Sequence, residues 1–210
     1  QFKGETPELE LTRVDANGTP VTVKYQAVVK EVAPTGTTST STGPQGQPQT
    51  GKPNFVGGDP NVPLDDDTPA TFDDGSKRKV VPNVGIFEVA PDGSVTFTPD
   101  KQFVGTPDPV VVKRVDKNGT PVIAKYTPTV EKVTPTAKGA QTEGIQGQVQ
   151  KGKITFEAGS PQVGFPENNT PVFDTGTNVK EIAKVGKFEV DGEGNVTFTP
   201  VKTFVGKTPE

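Results

Sequence analysis

The chain is 210 residues long, carries a formal charge of −4 and contains no Cys, His, Met or Trp. Without thiols or imidazoles it has no disulfide framework, no Cys/His zinc site, no thiolate nucleophile and no histidine acid–base catalyst. The charge is too mild and too mixed for a nucleic-acid partner, and no apolar run approaches the roughly 18 residues of a membrane-spanning helix.

Hydrophobic residues make up 30% of the chain, and Gly and Pro number 24 and 22. Such a core is thin, so only modest stability is expected. The absence of cysteine fits an exported protein that never uses disulfides. Neither a signal peptide nor a wall-sorting tail is visible, which suggests an excised piece of something longer.

In chain order, the first predicted element is a hairpin. Leu9 and Leu11, then Val21, Val23 and Tyr25, alternate with polar residues on either side of DANG at 15–18. Period-2 alternation around Asn-Gly marks a tight turn, because Gly tolerates the positive φ required there. Next comes APTGTTSTSTGPQGQPQTGKP at 33–53, with almost no apolar residues. It reads as a long surface loop or an interdomain linker. Residues 54–76 then offer isolated anchors, Phe55, Val62, Leu64 and Phe72, as short edge strands or irregular segments. A second hairpin follows, with Phe87, Val89, Val95 and Phe97 alternating around APDGS at 90–94.

The same elements then recur. RVDANGTP at 13–20 returns as RVDKNGTP at 114–121, a spacing of 101 residues. Tyr25 matches Tyr126, Phe55 matches Phe156, Phe87 matches Phe188, and Phe2, Phe103 and Phe204 form a threefold series. This period exceeds that of solenoid repeats and approaches the size of an independent domain, roughly 100–150 residues. No segment shows sustained helical periodicity. The predicted fold is all-β, with two tandem immunoglobulin-like β-sandwich domains at 1–101 and 102–210, the latter including the start of a third unit. A cyclic pattern has no marked origin, so an alternative boundary lies near 35–43 and 136–144.

TRVDANGTPVTVKY, GPQGQPQTGKPNF, GIFEVAPDGSVTFTP and FVGTPDPVVVKRVDKNGTP together resemble the CshA-type fibril repeats of streptococcal surface adhesins. The resemblance covers nearly the whole chain. The second copy departs at VDGEGNV, which lacks the Pro, and at GFPENNTP. The resemblance implies a repeat-built fibril on a Gram-positive surface, anchored to the cell wall through a region outside this segment. It implies that adhesion, including any host protein contact, sits largely in a separate N-terminal region of the parent adhesin. Repeats of this kind are also suspected of conformational lability. No catalytic residues come with the family.

Each candidate site also has a plainer reading. The repeat-matched aromatics read as core positions, with a binding platform as the alternative. The acidic cluster Asp65, Asp66, Asp67, Asp73 and Asp74 is a weak Ca²⁺ candidate, but its spacing does not match an EF-hand loop and it reads as solvated surface. No cofactor is expected. An isopeptide crosslink would need a buried Lys, yet alternation places Lys24, matched by Lys125, and Glu88, matched by Glu189, on the outer face.

No enzyme is expected. The predicted function is a structural stalk, with a multivalent host-ligand-binding module as the alternative. Charge favours the stalk: residues 1–101 carry 9 basic and 14 acidic side chains, −5, whereas 102–210 carry 13 and 12, +1. A shared binding patch would not change sign. The exception is the near-identical polar turn GPQGQ/GIQGQ, where Gln45, Gln47, Gln146 and Gln148 are candidates for contact with a neighbouring repeat. The expected chain is a monomer.

Overall fold

A computed structural model describes residues 2–208, all without helix. Twenty strands run in chain order: β1 (Gly4–Glu5), β2 (Leu9–Val14), β3 (Pro20–Tyr25), β4 (Val28–Val29), β5 (Thr35–Thr37), β6 (Ser39–Pro44) and β7 (Gln49–Gly51). They continue with β8 (Asn54–Val56), β9 (Thr71–Phe72), β10 (Arg78–Val81), β11 (Gly85–Val89), β12 (Val95–Pro99), β13 (Val110–Val115) and β14 (Pro121–Glu131). The last six are β15 (Thr136–Lys138), β16 (Gln150–Lys153), β17 (Thr155–Glu157), β18 (Val179–Ile182), β19 (Gly186–Val190) and β20 (Asn195–Pro200). The all-β fold read from the sequence is therefore the fold observed. The chain divides into two compact units. The first comprises Gln1–Gly43, Pro48–Asp100 and Gly105–Thr129, and the second Pro44–Gln47, Lys101–Val104 and Val130–Glu210.

The first unit contains a sandwich. One sheet has the order β10-β11-β12-β7 and the other β6-β14-β13-β9. The inward faces follow the alternation of the sequence: Phe87, Val95, Phe97, Phe72, Val112 and Tyr126 are all fully buried. Phe87 and Phe97 are directly paired across β11 and β12, and their rings stack at 4.4 Å. Tyr126 meets Phe87 edge-on at 6.4 Å, which joins the two sheets.

The polar stretch expected as a loop or linker is instead strand-rich. It supplies β5, β6 and β7. Ser41 and Gln49 enter the core with their polar atoms paired, whereas the Ser39 hydroxyl is buried without a partner. Ser41 Oγ donates to Gln49 Oε1 at 2.5 Å and shares a 2.6 Å hydrogen bond with the Tyr126 hydroxyl, and Gln49 Nε2 donates to the Thr129 carbonyl at 3.0 Å. Paired polar groups can be buried at little cost. Gly51 contributes by having no side chain: a methyl there would lie 2.0 Å from the Tyr126 ring.

Both Asn-Gly hairpins form as read. Asp15 Oδ1 accepts from the Asn17 and Thr19 amides at 2.8 Å each, and Asp116 Oδ1 accepts from Asn118 and Thr120 at 2.9 and 2.7 Å. Gly18 and Gly119 take φ of 84° and 77°. Yet the two hairpins are surrounded differently. β13–β14 lies inside the sandwich, whereas β2–β3 forms a two-stranded sheet whose residues are all exposed. Tyr25 and Phe2, expected as core by their match to Tyr126 and Phe103, are accordingly exposed. A hairpin alone has no second sheet to bury its apolar face.

The second unit has the four-stranded sheet β16-β20-β19-β18. It repeats β7-β12-β11-β10 strand for strand, including a Phe188–Phe198 stack at 4.4 Å. Among the described residues it has no counterpart of the sheet built on β13 and β14. The stretches 140–145 and 172–173, which match β6 and β9, carry no strand there.

The stacked pair makes the first sandwich sensitive at one position. Phe97→Ala is expected to destabilise it by roughly 3–5 kcal/mol, the range for truncating a fully buried Phe. Chemical denaturation followed by circular dichroism measures this. An unchanged midpoint would mean that Phe97 contributes nothing to the core.

Candidate functional site

Two surface features bear on function: the glutamine turn and the acidic loop. The glutamine turn of the first copy, residues 44–47, belongs to the second unit. Gly46 takes φ of 79°, and the Gln47 amide closes the turn onto the Pro44 carbonyl at 3.1 Å. Gln45 is the anchor. Its amide donates to the Glu131 carbonyl at 2.8 Å, its Nε2 to the Lys101 carbonyl at 3.0 Å, and its Oε1 accepts from the Val133 amide at 3.4 Å. Its carbonyl accepts from Ser160 Oγ at 3.2 Å. A methyl at Gly46 would lie 2.8 Å from Val163 and 3.1 Å from Gln162, so the turn is pressed against residues 160–163.

The matching turn in the second copy keeps half of this. Gln146 Nε2 donates to the Lys202 carbonyl at 3.0 Å, as Gln45 does to Lys101 one period earlier. Nothing lies within 4 Å of a methyl placed on Gly147, and Gln146 and Gln148 are exposed. Gln47 is exposed as well. Of the four glutamines named from sequence, Gln45 is the one held by a dense set of bonds.

The acidic loop is held by cations. Lys117 Nζ bridges Asp65 and Asp67 at 2.6 and 2.8 Å. The nearly buried Arg114 reaches Asp66 at 2.8 Å, and Lys79 lies 3.5 Å from Asp73. The loop runs beside β13, with the Asp65 amide donating to Val115 and the Lys117 amide to Pro63, both at 2.9 Å. Of these ion pairs, that of Asp73 recurs in the second copy, as Lys180 with Asp174 at 2.8 Å. Among the described residues no cluster of three or more acidic side chains has the geometry to hold a metal ion.

The remaining candidates fall as follows. Lys24 is exposed and pairs with Glu8 at 2.8 Å; Glu88 is exposed and lies 3.6 Å from Arg78. Lys125 is exposed, and Glu189 pairs with Lys187 at 2.8 Å. Neither lysine has the burial that a crosslink requires. Residues that sequence reasoning passed over are Gln49, Ser41 and Arg114, all polar and inside or beside the core. The one available signal was their recurrence as Gln150 and Thr142, 101 residues on, for the first two.

Several carboxylates sit below the ordinary range. The hydrogen bond from Lys117 lowers Asp65, that from the Ser76 side chain lowers Asp74, and that from Ser94 lowers Asp92. The same contact with Asp65 raises Lys117. Burial raises the Tyr126 hydroxyl, partly offset by Ser41. A carboxylate whose folded pKa is depressed adds stability above its unfolded value, about 3.9, and loses it as pH falls through the folded value. Melting of the first unit is thus expected to hold steady down to about pH 5 and to drop below about pH 4. Lys117→Ala should shrink that acid-side drop, as a pH series of thermal melts would show. A separate expectation concerns Ca²⁺. A folding-linked ion would shift melting with its concentration. Because the loop carboxylates are engaged by Lys and Arg, melts in EDTA and in millimolar Ca²⁺ are expected to coincide; a shift of several degrees would reassign the loop as a metal site.

A family model described as "Surface adhesin CshA repetitive domain" matches residues 31–130 and 132–210. Comparison with curated proteins gives no match. Among solved structures, repeat domain 13 of the fibrillar adhesin CshA from Streptococcus gordonii is 66% identical, covering 34% of this chain and 91% of that one, with a TM-score of 0.20. The protocadherin fragment PcdhgB3 EC1-4 is 10% identical, covering 94% of this chain and 57% of that one, with a TM-score of 0.38. An eight-immunoglobulin-domain fragment of Down Syndrome Cell Adhesion Molecule is 13% identical, covering 92% and 31%, with a TM-score of 0.34. Superpositions this loose establish no shared fold with the latter two.

Proposed function

The chain belongs to the CshA repeat family, and we propose that it is a stalk segment, a pair of structural repeats that projects a distal adhesive region away from the wall of a Gram-positive cell. Repeats of a surface adhesin work at the cell surface, and the family is one of adhesin repeats and not of enzymes. Attachment to the cell wall through a region outside this segment belongs to the proposal.

One observation carries the reading. The interior recurs and most of the surface does not. The Phe87–Phe97 and Phe188–Phe198 stacks are the same to 0.1 Å in spacing, both 4.4 Å. The charge around them, by contrast, drifts: DDD at 65–67 stands where the second copy has ENN at 167–169, and residues 1–101 carry −5 where 102–210 carry +1. A spacer needs the same core in every unit, whereas a repeated receptor needs the same outer patch. The acidic loop is on this reading a charge-pinned surface segment, without a resident metal.

The repeat phase follows the same reasoning. The sandwich draws its strands from Ser39 through Glu131, which supports a unit running from about residue 31 to 131. The dense anchoring of Gln45 onto Glu131, Val133 and Ser160, across that boundary, supports a role for the glutamine turn in holding one repeat to the next.

A multivalent binding module remains the second reading, because the exposed Gln146–Gln148 turn is nearly identical to its partner copy in sequence. Surface binding to a panel of host matrix proteins separates the two. The segment alone is expected to show no saturable binding, while an N-terminal fragment of the parent does. Saturable binding by the segment at about 1 μM or tighter, −8.2 kcal/mol or better, would promote the second reading.

A further inference from the structure

The sandwich begins and ends on neighbouring strands. The family match to this repeat spans residues 31–130. Within it β5 and β6 come first and β14 comes last, and β6 and β14 are adjacent in one sheet. Tension along the chain therefore enters the repeat through β5 and β6 and leaves it through β14.

The contacts between these strands fix their relative direction. Gly36 of β5 lies against the start of β14: a methyl there would be 2.4 Å from the Ile123 carbonyl oxygen and 3.2 Å from the Ala124 side chain. Further on, the Ser41 hydroxyl meets the Tyr126 hydroxyl at 2.6 Å. Just past β6, the Gln45 amide donates to the Glu131 carbonyl at 2.8 Å. Residue numbers rise together on both sides, so β5–β6 and β14 run parallel. The pairs β12–β7, β13–β14 and β13–β9 are all antiparallel. Parallel neighbours cannot be joined by a tight turn and need a long connection. Here the connection is the rest of the repeat.

Direction decides how such a pair yields to force. In a parallel pair, the N-terminal end of the first strand and the C-terminal end of the last lie at opposite ends of the ladder. A pull on those two points slides one strand along the other and strains all the ladder bonds at once. In an antiparallel pair the same two points would lie at one end, and the ladder would open bond by bond.

Side chains stiffen the same ladder. Gln49 of β7, in the facing sheet, packs over Gly43, where a methyl would lie 3.1 Å from its side chain, and donates to the Thr129 carbonyl at 3.0 Å. Ser41 ties that glutamine to Tyr126. These residues recur: Ser41, Gly43, Gln45 and Gln49 return as Thr142, Gly144, Gln146 and Gln150. A fastening that every repeat needs accounts for a polar stretch that persists while the surface charges drift, with no ligand required.

We infer that the ladder between β5–β6 and β14 is a shear clamp, which lets the repeat hold its fold under tension although its hydrophobic core is thin. The inference rests on the stalk reading for the source of the load; the clamp itself is a property of the sandwich.

Single-molecule force spectroscopy on the whole chain tests it. The chain has no cysteine, so introduced pairs set the points of pulling. Lys30→Cys with Lys132→Cys loads the ladder lengthwise. Lys30→Cys with Asn118→Cys loads it from one end, because Asn118 sits in the turn that leads into β14; Lys117→Cys, on the same turn, gives a second measurement of that geometry. All four residues are exposed, and thermal melts check that each variant stays folded. Forced unfolding follows the barrier of the path taken, so at one loading rate the lengthwise pair is expected to yield at a force at least about twofold higher than the other. It should release roughly 300 Å of chain in one step, the extended length of the stretch from Thr35 to Glu131 less its folded span. Equal forces in the two geometries overturn the inference, as does a lengthwise pull that releases no such step. Equal forces would remove the clamp and leave the stalk reading, whereas saturable host binding would remove the stalk reading and leave the clamp.

Discussion

The sandwich of the first unit depends on one aromatic ring lying over one glycine. Tyr126 reaches from β14 across the gap between sheets and occupies the space above Gly51. It touches the Phe87–Phe97 stack with its edge and ends in a hydrogen bond to Ser41. Any side chain on Gly51 would occupy the ring's place. Any loss of the ring would leave the part-buried Ser41 hydroxyl with one partner fewer, a costly state. Size, shape and polarity of the core are thus settled around this contact. With 30% hydrophobic residues, the chain has little else with which to offset the entropy of folding.

The two hairpins show how far local sequence carries structure and where it stops. DANG and DKNG build the same turn with the same Asp carboxylate accepting from the same two amides. Those bonds are local and form in either setting. Strands β6 and β9 are different. They flank β14 and β13, and the matching stretches at 140–145 and 172–173 have no strand where that hairpin has no counterpart. An edge strand of Thr, Ser and Gly has weak propensity of its own and exists because a neighbour supplies its ladder bonds.

The surface is organised more loosely. Asp65, Asp66 and Asp67 are drawn to Lys117 and Arg114, which tie the loop to the edge of β13. The exposed Lys117 pairs contribute little to stability. Gln45 belongs to another class. Its side chain and backbone together make bonds to Glu131, Lys101, Val133 and Ser160, all of them backbone groups except the last. A contact made to backbone tolerates drift in the surrounding charges, so the turn can stay the same while KEV at 30–32 becomes EKV at 131–133.

The sequence by itself determined the all-β class, the 101-residue period, both turn types and the inward faces of β11, β12, β13 and β14. Those features follow from alternation and turn chemistry, which act over a few residues. Only the tertiary structure decided that the polar stretch at 33–53 is largely strand. Gln49, Ser41 and Gly51 look like loop residues until the Tyr126 ring and Thr129 carbonyl, more than 70 residues away, are placed against them. Only the tertiary structure separated Tyr25 from Tyr126. The two share their neighbours in sequence, and burial depends on whether an opposing sheet is present, which no local pattern records. The Gln45 turn was legible as a polar feature that recurs. That its partners would be Glu131, Val133 and Ser160 was not, because hydrogen bonds to backbone leave no trace in residue type.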